Sequence, residues 1–418
     1  MILQLLLTVL AINTELVSGE AELETVFQWR YLDYVWPSKE HREEAIRKGT
    51  YIISNPIPMD VDVAKDGRVF ITSLGIPGVP ARLGVVSNLM SPSGPLIQPY
   101  PNWNWTDRND CDSIIEVYRV AIDKCNRLWV LDSAVLMEGE SRNCQPKLLA
   151  FDLKTDTLIT KIVIPEHIAT GYTNDSLFAN VIVETEGSKC EKTTVYMADS
   201  RGMGLVIWDG TQLYRFHSTF FDPQPNALYV SVGNDTSKPP IGLVGINISP
   251  KTFPNQTQKL YLRPLASRDL FHVDINSVKK EKTKGSRITI HGAKNILSSQ
   301  AVGQVFSPKG VLFLGLTKEC AIACWNQHRE LKRENIEIVA RDDSRLQYTG
   351  GMKVLPSRSL PDGELWLISN RFTHNYILKK FDKTQINYRV MRTPVDKLIA
   401  GTKCEIPKNL QEAMKKVQ

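Results

Sequence analysis

Residues 126–133 read NRLWVLDS, and the pattern of this short stretch recurs along the chain and indicates its fold. A polar turn is followed by an apolar residue, an aromatic residue and two more apolar residues, and the run stops at Asp132-Ser133. This is the pattern of one short buried β-strand. Five other stretches share it: DGRVFITS at 66–73, TTVYMADS at 193–200, QKLYLRPL at 258–265, KGVLFLGL at 309–316 and DGELWLIS at 362–369.

Each of these stretches has β-rich neighbours, so the repeating unit is larger than one strand. A first run precedes it by a short turn, at 59–64, 118–123, 178–183, 244–249, 302–307 and 351–355. A third run follows it, at 83–88, 148–153, 204–209, 270–275, 321–326 and 377–382. A weaker fourth run is found at 158–164, 212–218 and 388–393. The pattern predicts the same antiparallel unit written six times.

The repeat predicts an all-β fold, a six-bladed β-propeller with four-stranded antiparallel blades. The anchor residues of the repeated strand are expected to pack between blades, and they are Phe70, Trp129, Tyr196, Tyr261, Leu312 and Trp366. Residues 20–418 are predicted to form this single domain. A lead segment at 20–55, with a helix predicted near 41–49, and a tail after Cys404 are expected to cover or close the ring.

The ends of the repeated strands indicate the functional side of the predicted propeller. In such folds the strand ends and loops surround one mouth of the central channel and carry the chemistry. Asp132, Asp199 and Ser369-Asn370 each end a repeated strand. We therefore expect these residues at one mouth of the channel.

The composition is that of a folded globular protein, with 418 residues, 42% hydrophobic and 23% charged content, and a formal net charge of +6. Disordered and collagen-like chains are excluded. The one dense basic run, KKEKTK at 279–284, contains an acid and lies between apolar segments, so it favours a solvated loop over a nucleic-acid site. After the N-terminus no segment approaches the apolar length of a membrane span, and no membrane association is predicted.

The N-terminus and the glycosylation sequons together predict a secreted, extracellular glycoprotein. Residues 2–12, ILQLLLTVLAI, have the length of the apolar region of a signal peptide, and small residues precede a cleavage point after Gly19. Residues 1–19 are therefore predicted to be a signal peptide. Five N-x-S/T sequons follow, at Asn104, Asn174, Asn234, Asn247 and Asn255.

The cysteines agree with an oxidising compartment. They number seven: Cys111, Cys125, Cys144, Cys190, Cys320, Cys324 and Cys404. They predict up to three disulfides with one cysteine left over. The spacing of Cys320 and Cys324 has no matching second half that would complete a zinc site, so disulfides are favoured and no metal is predicted.

Six motifs run in order along the chain: IDKCNRLWVLDS at 122–133, CQPKLLAFDLKTD at 144–156, VYMADSRGMGLVIWD at 195–209, ACWNQHREL at 323–331, LWLISNRF at 365–372 and TKCEIP at 402–407. Together they resemble the insect Yellow and major royal jelly protein family over residues 25–407. The resemblance implies a secreted six-bladed propeller, in agreement with the repeat. The family includes pigmentation and cuticle proteins, proposed dopachrome-converting enzymes, eggshell proteins, nutritional jelly proteins and salivary proteins that bind biogenic amines.

The resemblance also implies how the cysteines pair. It implies disulfides between Cys125 and Cys190 and between Cys324 and Cys404, with Cys111 and Cys144 as the natural third pair. Cys320 is then the odd residue, either a buried free thiol or an intermolecular link.

A ligand site follows from the same resemblance. The amine-binding members use the Asn and Phe of the SNRF motif, which are Asn370 and Phe372 in this chain. A hydroxyl position of the family falls near Gly350, with Thr349 beside it, and an aromatic position falls on Val244. These departures remove about 1 to 3 kcal/mol of contacts to an ammonium group. The expected ligand is a small aromatic amine or catechol bound with altered selectivity, and no cofactor is expected.

Enzymatic alternatives have weaker support in the sequence. The histidines are scattered, and neither H-E-x-x-H nor G-x-S-x-G occurs. His374 is the one candidate general base, because it follows the SNRF motif, and dopachrome tautomerisation needs only a proton removed from carbon and one returned to oxygen. A calcium-dependent lactonase would use Asp132, Asp199 and Asn370, but the resemblance points away from it.

Three function classes therefore remain, and they differ in what the channel does. The leading hypothesis is a channel that binds a small aromatic amine or catechol, in a pigmentation, cuticle or glandular role. The alternative is a dopachrome-converting tautomerase in melanisation. The third is a structural eggshell or cuticle protein, or a nutritional one, without ligand chemistry.

Overall fold

The computed structural model describes residues 23–134, 144–171, 175–239, 241–280, 289–357 and 359–415. The predicted signal peptide, 1–19, and the sequon residue Asn174 lie outside the described residues. The described chain forms six four-stranded antiparallel sheets, which is the six-bladed propeller predicted from the repeat, and one additional two-stranded hairpin.

Five blades are consecutive along the chain, each running from the channel outwards. Blade I comprises β2 (Pro58–Val63), β3 (Val69–Ser73), β4 (Leu83–Ser91) and β5 (Gly94–Pro99). Blade II comprises β6 (Val117–Ile122), β7 (Arg127–Asp132), β8 (Lys147–Asp152) and β9 (Thr157–Val163). Blade III comprises β10 (Phe178–Glu186), β11 (Lys192–Asp199), β12 (Gly204–Trp208) and β13 (Leu213–His217).

The extra hairpin follows blade III and consists of β14 (Val230–Val232) and β15 (Asp235–Ser237). Blade IV comprises β16 (Leu243–Ile248), β17 (Lys259–Pro264), β18 (Leu270–Asp274) and β19 (His291–Ala293). Blade V comprises β20 (Ala301–Phe306), β21 (Val311–Leu316), β22 (Ala321–Asn326) and β23 (Ile336–Arg341).

Blade VI is assembled from both ends of the chain. Its strands are β24 (Tyr348–Leu355), β25 (Glu364–Asn370), β26 (Tyr388–Pro394) and, outermost, the N-terminal β1 (Glu24–Trp29). Strands β1 and β26 pair antiparallel, with Trp29 opposite Tyr388. Both of these side chains are fully buried. The lead segment thus closes the ring by supplying a strand.

The prediction of a third strand at 377–382 is wrong. This segment follows a π-helical turn, Thr373–Ile377, and Lys379 has a φ of 54°, which an extended strand does not allow. The run at 388–393, expected as a fourth strand, is instead the third strand. Its Tyr388 and Val390 are fully buried, whereas Ile377 is exposed, so burial favours the later run.

In the described part of the chain, five short α-helices accompany the blades: α1 (Lys39–Arg47), α2 (Glu166–Ala169), α3 (Ile275–Lys280), α4 (Val395–Ile399) and α5 (Lys408–Lys415). The helix expected near 41–49 is α1. It begins after Ser38, whose hydroxyl accepts a hydrogen bond from the His41 N–H at 3.4 Å, as an N-cap serine does. Among the described residues no helix is long and apolar enough to cross a bilayer.

The six innermost strands surround the channel, and all of them carry a register shift against the second strand of their blade. The shifts lie between Pro58 and Val61, Val117 and Val120, Phe178 and Asn180, Leu243 and Gly245, Ala301 and Gln304, and Thr349 and Met352. A β-bulge bends a strand and redirects its side chains. The six bulges therefore form one layer that divides the channel into an upper half, where the second strands end, and a lower half.

Hydrogen bonds across the bulge layer connect blades. Buried Asp60 accepts the Val120 N–H at 3.0 Å, and the carboxylate of Asp62 accepts the Ile122 N–H at 2.9 Å. Asn180 donates to the Val244 carbonyl at 2.9 Å. Each of these bonds satisfies a buried polar group with the neighbouring blade, so the inner strands hold each other in place.

Three disulfides connect the pairs that the resemblance implied: Cys111 with Cys144, Cys125 with Cys190, and Cys324 with Cys404. The Cys324–Cys404 bond ties the C-terminal tail to blade V across 80 residues of sequence. Cys320 is a buried free thiol, and burial raises its pKa to about 11.

Trp29 tests the closure of the ring. Its side chain is fully buried, and its indole N–H donates to the Pro95 carbonyl of blade I at 2.7 Å. We expect Trp29→Ala to lower the free energy of unfolding by about 3 to 5 kcal/mol, because it leaves a large cavity at the closure. Urea unfolding measures this loss. The exposed neighbour Gln28, changed to Ala, should shift stability by less than about 0.5 kcal/mol, and an equal loss in both variants would contradict the prediction.

Candidate functional site

The upper mouth is the end of the channel at which the second strands stop, and it contains the residues that the sequence placed there. Asp132 ends β7 and is fully buried. It accepts the Ile115 N–H at 2.9 Å and the Lys147 ammonium at 2.7 Å. Asp199 ends β11 and pairs with Arg215 at 2.8 Å. Both carboxylates are thus committed to neighbouring cations and backbone amides, and their role is to hold the strand ends.

Asn370 ends β25 and clasps two strands together. Its side chain is 1% exposed, and its amide donates to the Pro58 carbonyl at 2.6 Å. Its oxygen accepts the Phe372 N–H at 2.9 Å. Asn370 therefore sets the position of Phe372 at the mouth, and one lone pair of its oxygen is left for a further donor.

Phe372 belongs to an aromatic cluster at the upper mouth, defined here as Tyr118, Tyr348, Phe372 and Tyr376. The Phe372 ring lies 5.3 Å from the Tyr348 ring and 5.5 Å from the Tyr376 ring, with the latter pair stacked. The ammonium of Lys379 lies 4.3 Å from the Tyr376 ring centroid. A cation already rests on one face of this cluster, which is the contact that aromatic rings offer to an amine.

Thr349 and Val244 lie at the same mouth. Thr349 is opposite Ser369 in the ladder of β24 and β25, one residue away from Tyr348 and Asn370. Its hydroxyl oxygen is buried and has no hydrogen-bond partner among the described residues. Val244 is in the apolar cluster that contains Tyr348 and Tyr118 and against which Phe372 packs. The structure thus brings all four sequence-predicted ligand residues to one end of the channel.

The upper mouth contains buried oxygens without hydrogen-bond partners. The Tyr118 hydroxyl and one carboxylate oxygen of Glu116 are buried without a hydrogen-bond partner among the described residues. Burial, followed by the negative charge of Glu116, raises the pKa of Tyr118. Burial also raises the pKa of Glu116 to about 8, with Asp132 acting in the same direction and Arg82 against it. A bound ammonium group would supply the donors that these oxygens lack.

His374 lies beside the mouth and contacts the extra hairpin. Its Nδ1 is 2.9 Å from a carboxylate oxygen of Asp235, at the start of β15. Val232 of β14 belongs to the same apolar cluster as Tyr118 and Tyr348. The hairpin therefore packs at the upper mouth, and the contact between His374 and Asp235 holds it to the loop that follows β25.

Sequence reasoning missed Glu116 and three of the four aromatic residues. Tyr118 was counted as an ordinary residue of the strand predicted at 118–123, and Tyr348 and Tyr376 lay outside the predicted strands. The missing signal is register, because Tyr348 faces Asn370 across the ladder of β24 and β25. The local sequence signal for this site is an acid one residue before an inner strand, as Glu116 is before β6.

The four described sequons occupy different environments. Asn104, Asn234 and Asn255 are exposed. Asn247 is half-buried within β16, and its side-chain oxygen accepts the Phe306 N–H of blade V at 3.1 Å. Asn247 lies in the run predicted as a strand at 244–249 and connects blades IV and V, as Asp62 connects blades I and II.

Comparison with known proteins relates this chain to a family. The family model described as "Major royal jelly protein" matches residues 115–404. Major royal jelly protein 9 of Apis mellifera is 35% identical over 391 residues, which cover 91% of this chain and 90% of that protein. Major royal jelly protein 1 of Apis mellifera is 34% identical over 398 residues, which cover 93% and 90%.

Solved structures resemble the chain only distantly. An alpha-L-arabinofuranosidase from Fusarium graminearum matches with a TM-score of 0.47 and 11% identity, over 91% of this chain and 100% of that chain. A likeness at this level says nothing about the chemistry of the channel.

Glycan occupancy should follow the environments of the sequons. We expect glycans at Asn104, Asn234 and Asn255, and none at Asn247, because its amide is committed within a sheet. Mass spectrometry of glycopeptides from the protein expressed in insect cells measures this. Full occupancy at Asn247 would contradict the observed inter-blade bond.

Glu116 should make stability depend on pH. Its folded pKa of about 8 exceeds the ordinary glutamate value, so the folded state keeps a proton that the unfolded state has lost. The free energy of unfolding therefore falls as pH rises from about 4.5 to 8. Glu116→Gln lacks this titration. Urea unfolding should show the variant gaining stability relative to wild type between pH 5 and pH 8, and a constant difference over that range would contradict it.

Proposed function

This chain belongs to the major royal jelly protein family, and from that premise we propose that its upper mouth binds a small aromatic amine or catechol metabolite. One observation carries the proposal: the buried, unpartnered hydroxyl of Tyr118 belongs to the aromatic cluster that contains the stacked rings of Phe372 and Tyr376. An aromatic ligand can stack on Phe372, and its ammonium or hydroxyl groups can donate to this oxygen.

The proposal includes export to the extracellular space. The apolar run at 2–12 has the length of a signal peptide, and three sequons lie on exposed turns or loops. Three disulfides join six of the seven cysteines, as is usual for proteins that fold in an oxidising compartment. A secreted glycoprotein in a pigmentation, cuticle or glandular role fits these features.

Calorimetric titration with dopamine, serotonin, octopamine and histamine tests the site. We expect binding that Phe372→Ala weakens about 3- to 30-fold, from the loss of stacking and of a cation–π face. Tyr118→Phe keeps the ring and removes the unpartnered hydroxyl, and it should weaken binding about 3- to 10-fold. Asn370 is a poor probe, because its amide clasps β2 and its loss would disturb the fold.

The control is Phe220→Ala, because this ring is exposed and lies outside the aromatic cluster. It should bind as wild type does. An absence of heat with every amine and catechol, for a protein that unfolds cooperatively, would reject the binding function and favour a structural or nutritional role.

A specific observation supports a second function, dopachrome conversion. The carboxylate of Asp235 lies 2.9 Å from His374 Nδ1, so it can hold the ring with Nε2 available as a base. Phe372 lies two residues before His374 in the chain, so a substrate stacked on Phe372 would lie near this base. A base there could remove the proton from carbon that tautomerisation requires.

The loss of dopachrome absorbance measures this activity. If the chain is a tautomerase, His374→Gln should slow turnover by about 100-fold or more, because the general base is removed. His167→Gln is the matched control, since His167 is exposed on α2. Wild-type protein that leaves the uncatalysed rate unchanged would exclude the enzymatic function.

A further inference from the structure

A cavity of about 460 Å³ lies at the end of the channel opposite the upper mouth, below the bulge layer. All six inner strands contribute their second halves to its walls. The walls are largely apolar, and their residues include Ala121, Ile122, Val183, Ile246, Ile248 and Phe306. This lower cavity shares none of its lining residues with the aromatic cluster at the upper mouth.

A single arginine forms the closed end of the lower cavity. Arg119 lines it and is 7% exposed. One nitrogen of its guanidinium, Nη2, donates to the Val302 carbonyl at 3.0 Å and to the Gly350 carbonyl at 2.6 Å. These bonds brace blade II against blades V and VI and hold the guanidinium in place. No ion pair joins Arg119 to a carboxylate in the described part of the chain, and the remaining donors of the fork are left for the cavity.

A second buried arginine reinforces this positive charge. Arg263 is fully buried, donates to the Ala301 carbonyl, and leaves its Nε and Nη2 without a partner among the described residues. It reaches the channel over Gly245, where a Cβ atom would lie 2.8 Å from Nη2. The two guanidiniums thus converge on adjacent carbonyls of β20. Burial and the charge of Arg119 lower the pKa of Arg263 to about 9, which reflects the lack of a counter-charge.

The rim of the cavity is also positive. Lys65 and Lys124 line it, and Lys353, which also lines it, pairs with the buried carboxylate of Asp60 at 2.7 Å. Two acids, Asp62 and Asp123, also line it, but both are buried and engaged. The carboxylate of Asp123 binds Arg127 at 2.7 Å, and that of Asp62 accepts backbone N–H groups.

From these observations we propose that the lower cavity binds a monocarboxylate with an apolar ring or short chain. The carboxylate lies against Arg119 at the closed end, and the apolar body fills the space between the aliphatic walls. A planar guanidinium edge matches a carboxylate in geometry and charge. The same charge repels amines, so this ligand class differs from that of the upper mouth, and the two sites can be occupied independently.

The probe pair 3-phenylpropanoate and 3-phenylpropanamide tests the role of charge, because the two molecules match in size and differ in the acid group. Calorimetric titration of the full secreted chain should show that the acid binds at least 10-fold more tightly than the amide. Equal binding of both would overturn the proposal, since the cavity would then be only an apolar cleft. Titration with sodium chloride shows whether the cavity binds a carboxylate or a small inorganic anion. Halide binding without any binding of the acid would overturn the carboxylate assignment.

Two variants locate the site. Arg119→Met keeps the side-chain length and removes the charge, and it should abolish the preference for the acid over the amide. Because Arg119 also braces the blades, Lys124→Glu provides a second test at an exposed rim position. It should weaken the binding of 3-phenylpropanoate several-fold. Lys383→Glu, an equal charge change on an exposed residue outside the lining, should leave binding unchanged. Wild-type affinity in both Arg119→Met and Lys124→Glu would overturn the proposal.

Phe372→Ala distinguishes the two sites. It should leave binding of 3-phenylpropanoate unchanged, even though it weakens the amine site. Parallel loss of both ligands in this variant would show a single site and overturn the inference of a separate lower cavity.

Discussion

The structure depends on the pairing of its first strand with its last. Strand β1 adds to β26, so residues more than 350 positions apart in sequence lie in one sheet, with Trp29 opposite Tyr388. A propeller has no core of its own until the ring is closed, because each blade buries its faces against two neighbours. The indole of Trp29 then reaches blade I through the Pro95 carbonyl, so closure also joins the first and last blades.

In the closed ring the bulges of the inner strands lie at corresponding positions. Polar residues at that layer bond across to other blades. Arg119 is the longest of these braces, reaching from blade II to the carbonyls of Val302 and Gly350. A buried charge needs such partners, and the six-fold layer supplies them in the form of carbonyl groups that the bulges leave free of the ladder.

The bulge layer separates two ends of different chemical character. Above it, the unpartnered hydroxyl of Tyr118 belongs to a cluster of aromatic rings, which suits the amine or catechol proposed there. Below it, Arg119 and the lysines of the rim favour an anion. One channel can therefore present two chemically distinct sites without a second domain, because strands that pass through the layer contribute different residues to each side.

The six-fold repeat of the sequence was enough to establish the propeller, since period-two runs between turns have few other interpretations over this length. The SNRF motif likewise located Asn370 and Phe372, and the cysteine pairs followed from the resemblance. Local pattern failed where the chain departs from the repeat. Residues 377–382 look like a strand but contain Lys379 in a left-handed conformation, and β1 lies outside any repeat. The sequon at Asn247 does not indicate that its side chain is half-buried and bonded to the neighbouring blade.

Strand periodicity and turn chemistry are local, so the sequence was sufficient to predict the kind of blade and the number of blades. How the ring closes, and which residues face each other across the channel, could be read only from the tertiary structure. Tyr118 and Tyr348, or Arg119 and Arg263, belong to different blades and meet only after closure. Their meeting depends on bulge positions and blade order, and no local stretch of sequence encodes these relations.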